Sequence, residues 1–207
     1  MLSYFTSSTG KKFLMAVSGL ALFGFIVGHL VGNLQIFIGA EELNRYSAFL
    51  KGTGELLWFA RIGLLVMVGL HIWTAVSLTL ENRAARPIGY ASKNYIEASY
   101  ASRTMHMSGL IVLAYLIYHL LHFTLHKVHG QYSTFIDEKG RPDVYRMVVL
   151  SFQQPAIAIS YIVANLLLGT HLSHGIYSMF QSLGFVGQKA RPSLQLVSRI
   201  VGYGIFL

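Results

Sequence analysis

Apolar and polar positions run along this chain in long blocks rather than in short alternations. Four apolar blocks exceed the roughly 18 residues that mark a membrane-spanning helix. They predict spans over about residues 12–38, 56–80, 104–125 and 153–180. A fifth run, 193–207, is apolar apart from Gln195 and Arg199. At ~1.5 Å per residue it covers ~22 Å, less than a ~30 Å hydrocarbon core, so this helix is expected to be short or truncated. Polar segments separate the blocks: Gly39–Glu55, Glu81–Arg103, His126–Phe152 with its Asp137–Pro142 turn cluster, and the basic Gln181–Pro192. Pro155 falls in the first turn of the fourth block, where proline is tolerated. No internal repeat is apparent. The fold expected is an all-α membrane protein, a single five-helix transmembrane bundle over 1–207.

Composition agrees. The 207 residues are 54% hydrophobic and 12% charged, about half the charged fraction of a soluble domain. Lys11-Lys12 precede the first run as in a signal peptide, but that run is too long for an h-region and lacks an A-x-A end. Cysteine is absent, which excludes disulfides, cysteine-ligated clusters and covalent c-type haem. The net charge of +8 sits in loops and at block ends. It therefore points to anionic lipid or an acidic partner surface, and no nucleic acid is expected. With the N-terminus inside, eight Lys/Arg fall on the inner side and six in the outer loops. Positive-inside topology favours that orientation, a multi-pass protein with its N-terminus in the cytoplasm.

Each of the four long blocks carries a histidine: His29, His71, His119 and His171. Ionisable side chains within a span are costly and mark function by default. Helical rise places His29 and His119 ~25 and ~24 Å above the inner end, and His71 and His171 ~15 and ~18 Å above it. The histidines thus fall into an outer pair and an inner pair, each joining two different helices. Two facing neutral imidazoles are the axial set of a six-coordinate haem built for electron transfer. Two bis-histidine haems stacked in depth would carry electrons across the bilayer. Gly24, Gly28 and Gly32, every four residues beside His29, suit close helix packing or a flat ring approaching the backbone. His122 and His174, three residues beyond His119 and His171, are alternative ligands or propionate contacts. Arg61 and Arg103, near block ends, are propionate contacts or snorkelling residues. His126 and His129 read as solvated interfacial residues.

The motifs carrying these residues resemble a known family. They are Gly28-His29-Leu30-Val31-Gly32-Asn33, Gly39–Asn44, Leu70-His71-Ile72, Tyr118-His119-Leu120-Leu121-His122-Phe123 and His171–Gly184. In order and interval they resemble the single-chain, b558-type dihaem cytochrome b anchor of succinate dehydrogenase, related to that of fumarate reductase. The resemblance covers nearly the whole chain and departs at the short fifth helix. It implies two haems b, with His29 and His119 on the outer haem and His71 and His171 on the inner. It favours His119 over His122 and His171 over His174. It also implies flavoprotein and iron–sulfur partner subunits, a quinone substrate (menaquinone first) and the inner membrane of a prokaryote, and it allows a higher oligomer of the complex. The chain itself would be a non-catalytic electron-transfer subunit, docking its partner through Arg83, Arg86, Lys93, Lys189 and Arg191. Ser18, Lys12 and His106 are candidates for an inner quinone pocket, and Glu55 for an outer one. The readings weighed against it are a fumarate reductase anchor, the anchor of a formate dehydrogenase or hydrogenase, and a haem-free transporter whose histidines relay protons.

Overall fold

The computed structural model describes residues 5–85, 88 and 99–206. Among them are eight α-helices and no named strand: α1 Ser8–Asn33, α2 Ala40–Gly52, α3 Glu55–Ala84, α4 Tyr100–Arg103, α5 Met105–His119, α6 Val144–Phe152, α7 Pro155–Ser182 and α8 Arg191–Gly204. Among the described residues four helical stretches are long and apolar enough to cross a membrane: Ser8–Phe37, Glu55–Ala84, Met105–Thr124 and Pro155–Ser182. They match the four long apolar blocks, with ends shifted by a few residues. Large apolar side chains line their outward faces, among them Val31, Phe59, Leu65, Leu110, Ile159 and Ile162. A helix that is apolar all round belongs in lipid or in a large core. The buried set is instead rich in small hydroxyl residues: Ser18, Thr74, Ser108, Ser151 and Ser198 are each at most 2% exposed.

Local chemistry sets the helix ends. Ser7 caps α1 by accepting from the Gly10 amide at 3.1 Å. Gly54 turns the chain from α2 into α3 at φ 55°, a left-handed conformation that a side chain would strain. Pro155 opens α7 with the φ its ring prefers and no amide to waste. Helix α8 has 14 residues, short of a span, and packs along α7. Their crossing is close: a Cβ on Gly202 would lie 2.6 Å from the Ser173 backbone nitrogen and 2.9 Å from the Gly169 carbonyl oxygen. Small residues on both helices permit that approach, as in membrane helix pairs.

Two segments expected to be polar connections are helical. Gly39–Glu55 contains α2, and His126–Phe152 contains α6 and a 3₁₀ turn, Gly130–Thr134. Helices α2 and α6 pack together on one face of the bundle. Asn44 is 2% exposed. It donates to Asp143 Oδ1 at 3.0 Å and accepts from the Tyr145 amide at 2.9 Å. Glu41 accepts from Lys139 at 2.8 Å and from Arg141 at 2.7 Å. These cations hold the Glu41 carboxyl at about 2, well below its ordinary range. On the opposite face, Lys11 pairs with Glu81, and Ser8 donates to Glu81 Oε2 at 3.0 Å.

The chain also carries a repeat that its sequence hides. Each half is a long helix, a short helix on the same face and a second long helix: α1–α2–α3 and α5–α6–α7. Ser18-Gly19 precedes His29 by eleven residues, and Ser108-Gly109 precedes His119 by eleven. Gly69-x-His71 in α3 corresponds to Gly169-x-His171 in α7. Lipid-facing apolar residues are interchangeable, so the correspondence survives mainly at these polar and small positions.

Candidate functional site

The four histidines meet in two pairs, one from each half of the repeat. The ring centres of His29 on α1 and His119 on α5 are 5.8 Å apart, with planes at 89°. Those of His71 on α3 and His171 on α7 are 6.5 Å apart, with planes at 63°. A direct N–H···N bond of ~3 Å between imidazoles would bring the centres to ~5 Å. Both pairs are wider. Two metal–imidazole bonds of ~2 Å, plus ~1 Å from each nitrogen to its ring centre, place the centres ~6 Å apart. The observed separations bracket that value. Ligation fixes an axis but leaves rotation about it free, so both plane angles are compatible.

The inner pair is held alike on both sides. His71 Nδ1 lies 3.3 Å from Ser18 Oγ, and His171 Nδ1 lies 3.3 Å from Ser108 Oγ. Each serine also donates to a carbonyl of its own helix, Ser18 to Met15 and Ser108 to Met105, both at 3.1 Å. The adjacent glycines admit the rings. A Cβ on Gly19 would lie 3.4 Å from His71 Cε1, and one on Gly109 would lie 3.5 Å from His171 Cε1.

The outer pair has different surroundings. His119 ends α5, where the chain widens into a π turn over Leu120–Thr124. The wider turn carries His122 into the protein, fully buried. His122 Nδ1 is 3.1 Å from Tyr161 OH, and His122 Nε2 is 3.2 Å from Ser151 Oγ. Tyr161 OH is in turn 3.4 Å from His119 Nδ1. Ser151 donates to the Met147 carbonyl at 2.8 Å and lies 3.1 Å from Tyr132 OH. Both nitrogens of His122 are therefore engaged by protein, while His119 faces His29. Among Gly24, Gly28 and Gly32, only Gly32 packs closely: a Cβ there would lie 2.6 Å from the Tyr46 ring. Gly24 and Gly28 face open space beside His29.

The remaining candidates scatter. His174 Nε2 lies 3.5 Å from Ser178 Oγ on its own helix. Arg61 stacks over Trp58 at 5.1 Å on the α2/α6 side, and Arg103 ends α4. Glu55 is exposed in the first turn of α3. Of the three inner quinone candidates, Ser18 serves His71, Lys12 is exposed, and His106 Nε2 bonds Thr79 Oγ1 at 2.6 Å. Among the basic docking candidates, Arg83 lies in the last turn of α3 and Lys189 is exposed, while Arg191 donates to Tyr177 OH at 2.9 Å. Arg86 and Lys93 lie outside the described residues. His129 departs from its expected solvated place. Its Nε2 is buried without a partner, and its ring sits 5.0 Å from Tyr132 and 5.4 Å from His122. The segment folds back against the π turn, where His129 meets His122.

Sequence reasoning missed Ser108, Ser151, Tyr132 and Tyr161. The Ser-Gly pair eleven residues before each outer histidine was a usable signal for Ser108. Tyr161 carried none, because it meets His119 and His122 only through tertiary packing. No family model, curated protein or solved structure matches this chain.

Proposed function

We propose that this chain is the dihaem cytochrome b anchor of a succinate dehydrogenase. Its part is to pass electrons from an iron–sulfur partner to membrane quinone, menaquinone first. His29 and His119 would hold one haem b, and His71 and His171 the other. The observation that supports this reading is the spacing of the two imidazole pairs, 5.8 and 6.5 Å between ring centres, on four different helices. Each pair offers two imidazole donors from two different helices. A bare metal ion asks for more protein ligands than two. A macrocycle brings its own four.

Haem supplies reversible one-electron chemistry when bound. The protein's residues do the rest. His29, His71, His119 and His171 would supply the imidazole nitrogens that hold the two haems. Gly24 and Gly28 leave room beside His29, and the hydroxyls of Ser18, Ser108 and Tyr161 orient the rings. The apolar helix faces keep water away. A flavoprotein subunit would oxidise succinate beyond the membrane, with this chain as anchor in a prokaryotic inner membrane.

The test is a reduced-minus-oxidised spectrum of purified protein with haem counted per chain. The expected result is a b-type spectrum with two haems. Replacing His29 or His119 by Ala should remove one haem, and replacing His71 or His171 the other. A folded, colourless preparation made with haem in excess would overturn the reading and favour a proton-relay transporter. A fumarate reductase anchor shares this site. Haem midpoint potentials and the growth mode of the source cell separate the two.

A further inference from the structure

A histidine binds iron through one nitrogen only if the other carries the hydrogen. The hydrogen-bond chains around three of the four pair histidines fix which nitrogen that is. A backbone carbonyl can only accept. Ser18, with one proton, gives it to the Met15 carbonyl at 3.1 Å, so its oxygen can only accept from His71 Nδ1 at 3.3 Å. Ser108 repeats the arrangement with the Met105 carbonyl at 3.1 Å and His171 Nδ1 at 3.3 Å. Ser18 and Ser108 are 1% and 2% exposed, which leaves little access for a competing donor.

At the outer pair the same logic runs through three side chains. Ser151 gives its proton to the Met147 carbonyl at 2.8 Å and therefore accepts from His122 Nε2 at 3.2 Å. With its hydrogen on Nε2, His122 must accept at Nδ1, and the donor 3.1 Å away is Tyr161 OH. Tyr161, its proton committed to His122, accepts from His119 Nδ1 at 3.4 Å. His119 is thereby an Nδ1–H tautomer as well.

We propose that Ser18, Ser108 and the Tyr161–His122–Ser151 chain are positioning residues that hold His71, His171 and His119 as Nδ1–H tautomers, each presenting an Nε2 lone pair to its facing imidazole. This rests on the dihaem reading for its purpose, but not for its evidence. Among the described residues no such chain reaches the His29 ring; its helix offers Asn33, which donates to the His29 backbone carbonyl at 2.7 Å. One histidine of the four is thus left to adapt. His122, which resembles a ligand in sequence, instead sits within the relay that orients its neighbour, between Tyr161 and Ser151.

The experiment is nitrogen NMR of the full chain in bilayers, labelled with 15N-histidine. Spectra are taken as isolated and, where haem is present, in the diamagnetic reduced state. The expected result is a hydrogen on Nδ1 of His71, His119 and His171. Ser18→Ala should release His71 into a tautomer mixture, and Ser108→Ala should do so for His171. Ser18→Thr and Ser108→Thr, which keep the hydroxyl, should restore the wild-type signal. In haem-loaded protein the two Ala variants should weaken retention of the inner haem about 10–100-fold and shift its absorption or magnetic resonance lines. The outer haem should be untouched. Tyr161→Phe should act on the outer haem alone. Hydrogen on Nε2 of these histidines in wild-type protein would overturn the proposal, as would Ala variants with unchanged nitrogen signals. If no haem binds, the dihaem reading fails, and the nitrogen spectrum still decides the tautomers.

Discussion

His122→Ala separates a ligand from a structural histidine by two readouts that move in opposite directions. The wild-type side chain is fully buried and closes two hydrogen bonds, to Tyr161 at 3.1 Å and to Ser151 at 3.2 Å. Its ring also stacks on Phe123, with centres 4.0 Å apart. Truncation leaves the Tyr161 hydroxyl without its acceptor, at a cost of ~1–3 kcal/mol. It also opens a ring-sized cavity, for which aromatic-to-alanine changes in cores cost ~3–5 kcal/mol. Partial collapse and shared losses make these terms less than additive, so ~4 kcal/mol is the expected total. For a chain of this size that lowers the melting temperature on the order of 10 °C. The haem count should stay at two per chain, because His119 and His29 still face each other; the outer haem is only displaced more easily. His119→Ala should do the reverse, losing one haem while the His122 network stays closed. The assays are haem extraction per mole of chain and thermal unfolding in one detergent. An His122→Ala protein that holds one haem and melts like the wild type would refute the assignment.

Other outcomes follow from the same structure. Glu41 has its carboxyl held at about 2 by Arg141 and Lys139, against 4.5 when free. Its folded value is depressed, so the tie it makes is complete above about 4.5 and is lost as pH falls towards 2. Hydrogen-exchange protection at 137–143 should fall over that window, and Glu41→Gln should reduce the pH dependence to the share carried by Asp137, which also binds Arg141. Gly202→Leu should displace α8 from α7, since even a Cβ would sit 2.6 Å from a backbone nitrogen. Overpacking of this kind costs ~1–3 kcal/mol. Faster proteolysis of α8 would show it, with Gly204→Ala, which meets nothing within 4 Å, as the matched control. Asn44→Ala removes a 2%-exposed side chain that joins Asp143 to the Tyr145 amide. It should cost ~1–3 kcal/mol and speed exchange in α2 and α6 together, leaving both imidazole pairs intact.

The four long helices and the histidine pairing were legible because both depend on lengths. A constant rise per residue converts positions 29, 71, 119 and 171 into depths, and depth alone pairs them. Helix α2 was misread as a connection although its signals were present: Glu41 and Glu42 in the first turn and Lys51 in the last. Its polar face masked a short amphipathic helix. The π turn had no local signature at all. It exists where Tyr161 and Ser151, distant in sequence, meet His122. The choice of His119 over His122 therefore came from resemblance, and only the packing around His122 gives a physical reason for it. The contact of Ser18 with His71 was not legible, because it arises only where α1 packs on α3.

The three chains that orient the histidines all end on carbonyls of their own or a neighbouring helix: Met15, Met105 and Met147. This has a physical basis. Inside a span no water can complete a polar side chain, so every hydroxyl proton must find a protein acceptor. A helical carbonyl keeps a second lone pair after its ladder bond, and a serine one turn later reaches it with little strain. Once that proton is discharged, the serine oxygen becomes a pure acceptor with a fixed direction. A buried serine beside a histidine then acts as a tautomer selector, which an exposed serine, free to rotate among waters, could not. The two halves of the repeat build the inner pair by this device twice, and the outer pair by its longer form. It accounts for the burial of Ser18, Ser108 and Ser151 and for the glycines beside Ser18 and Ser108, whose missing side chains let the rings approach.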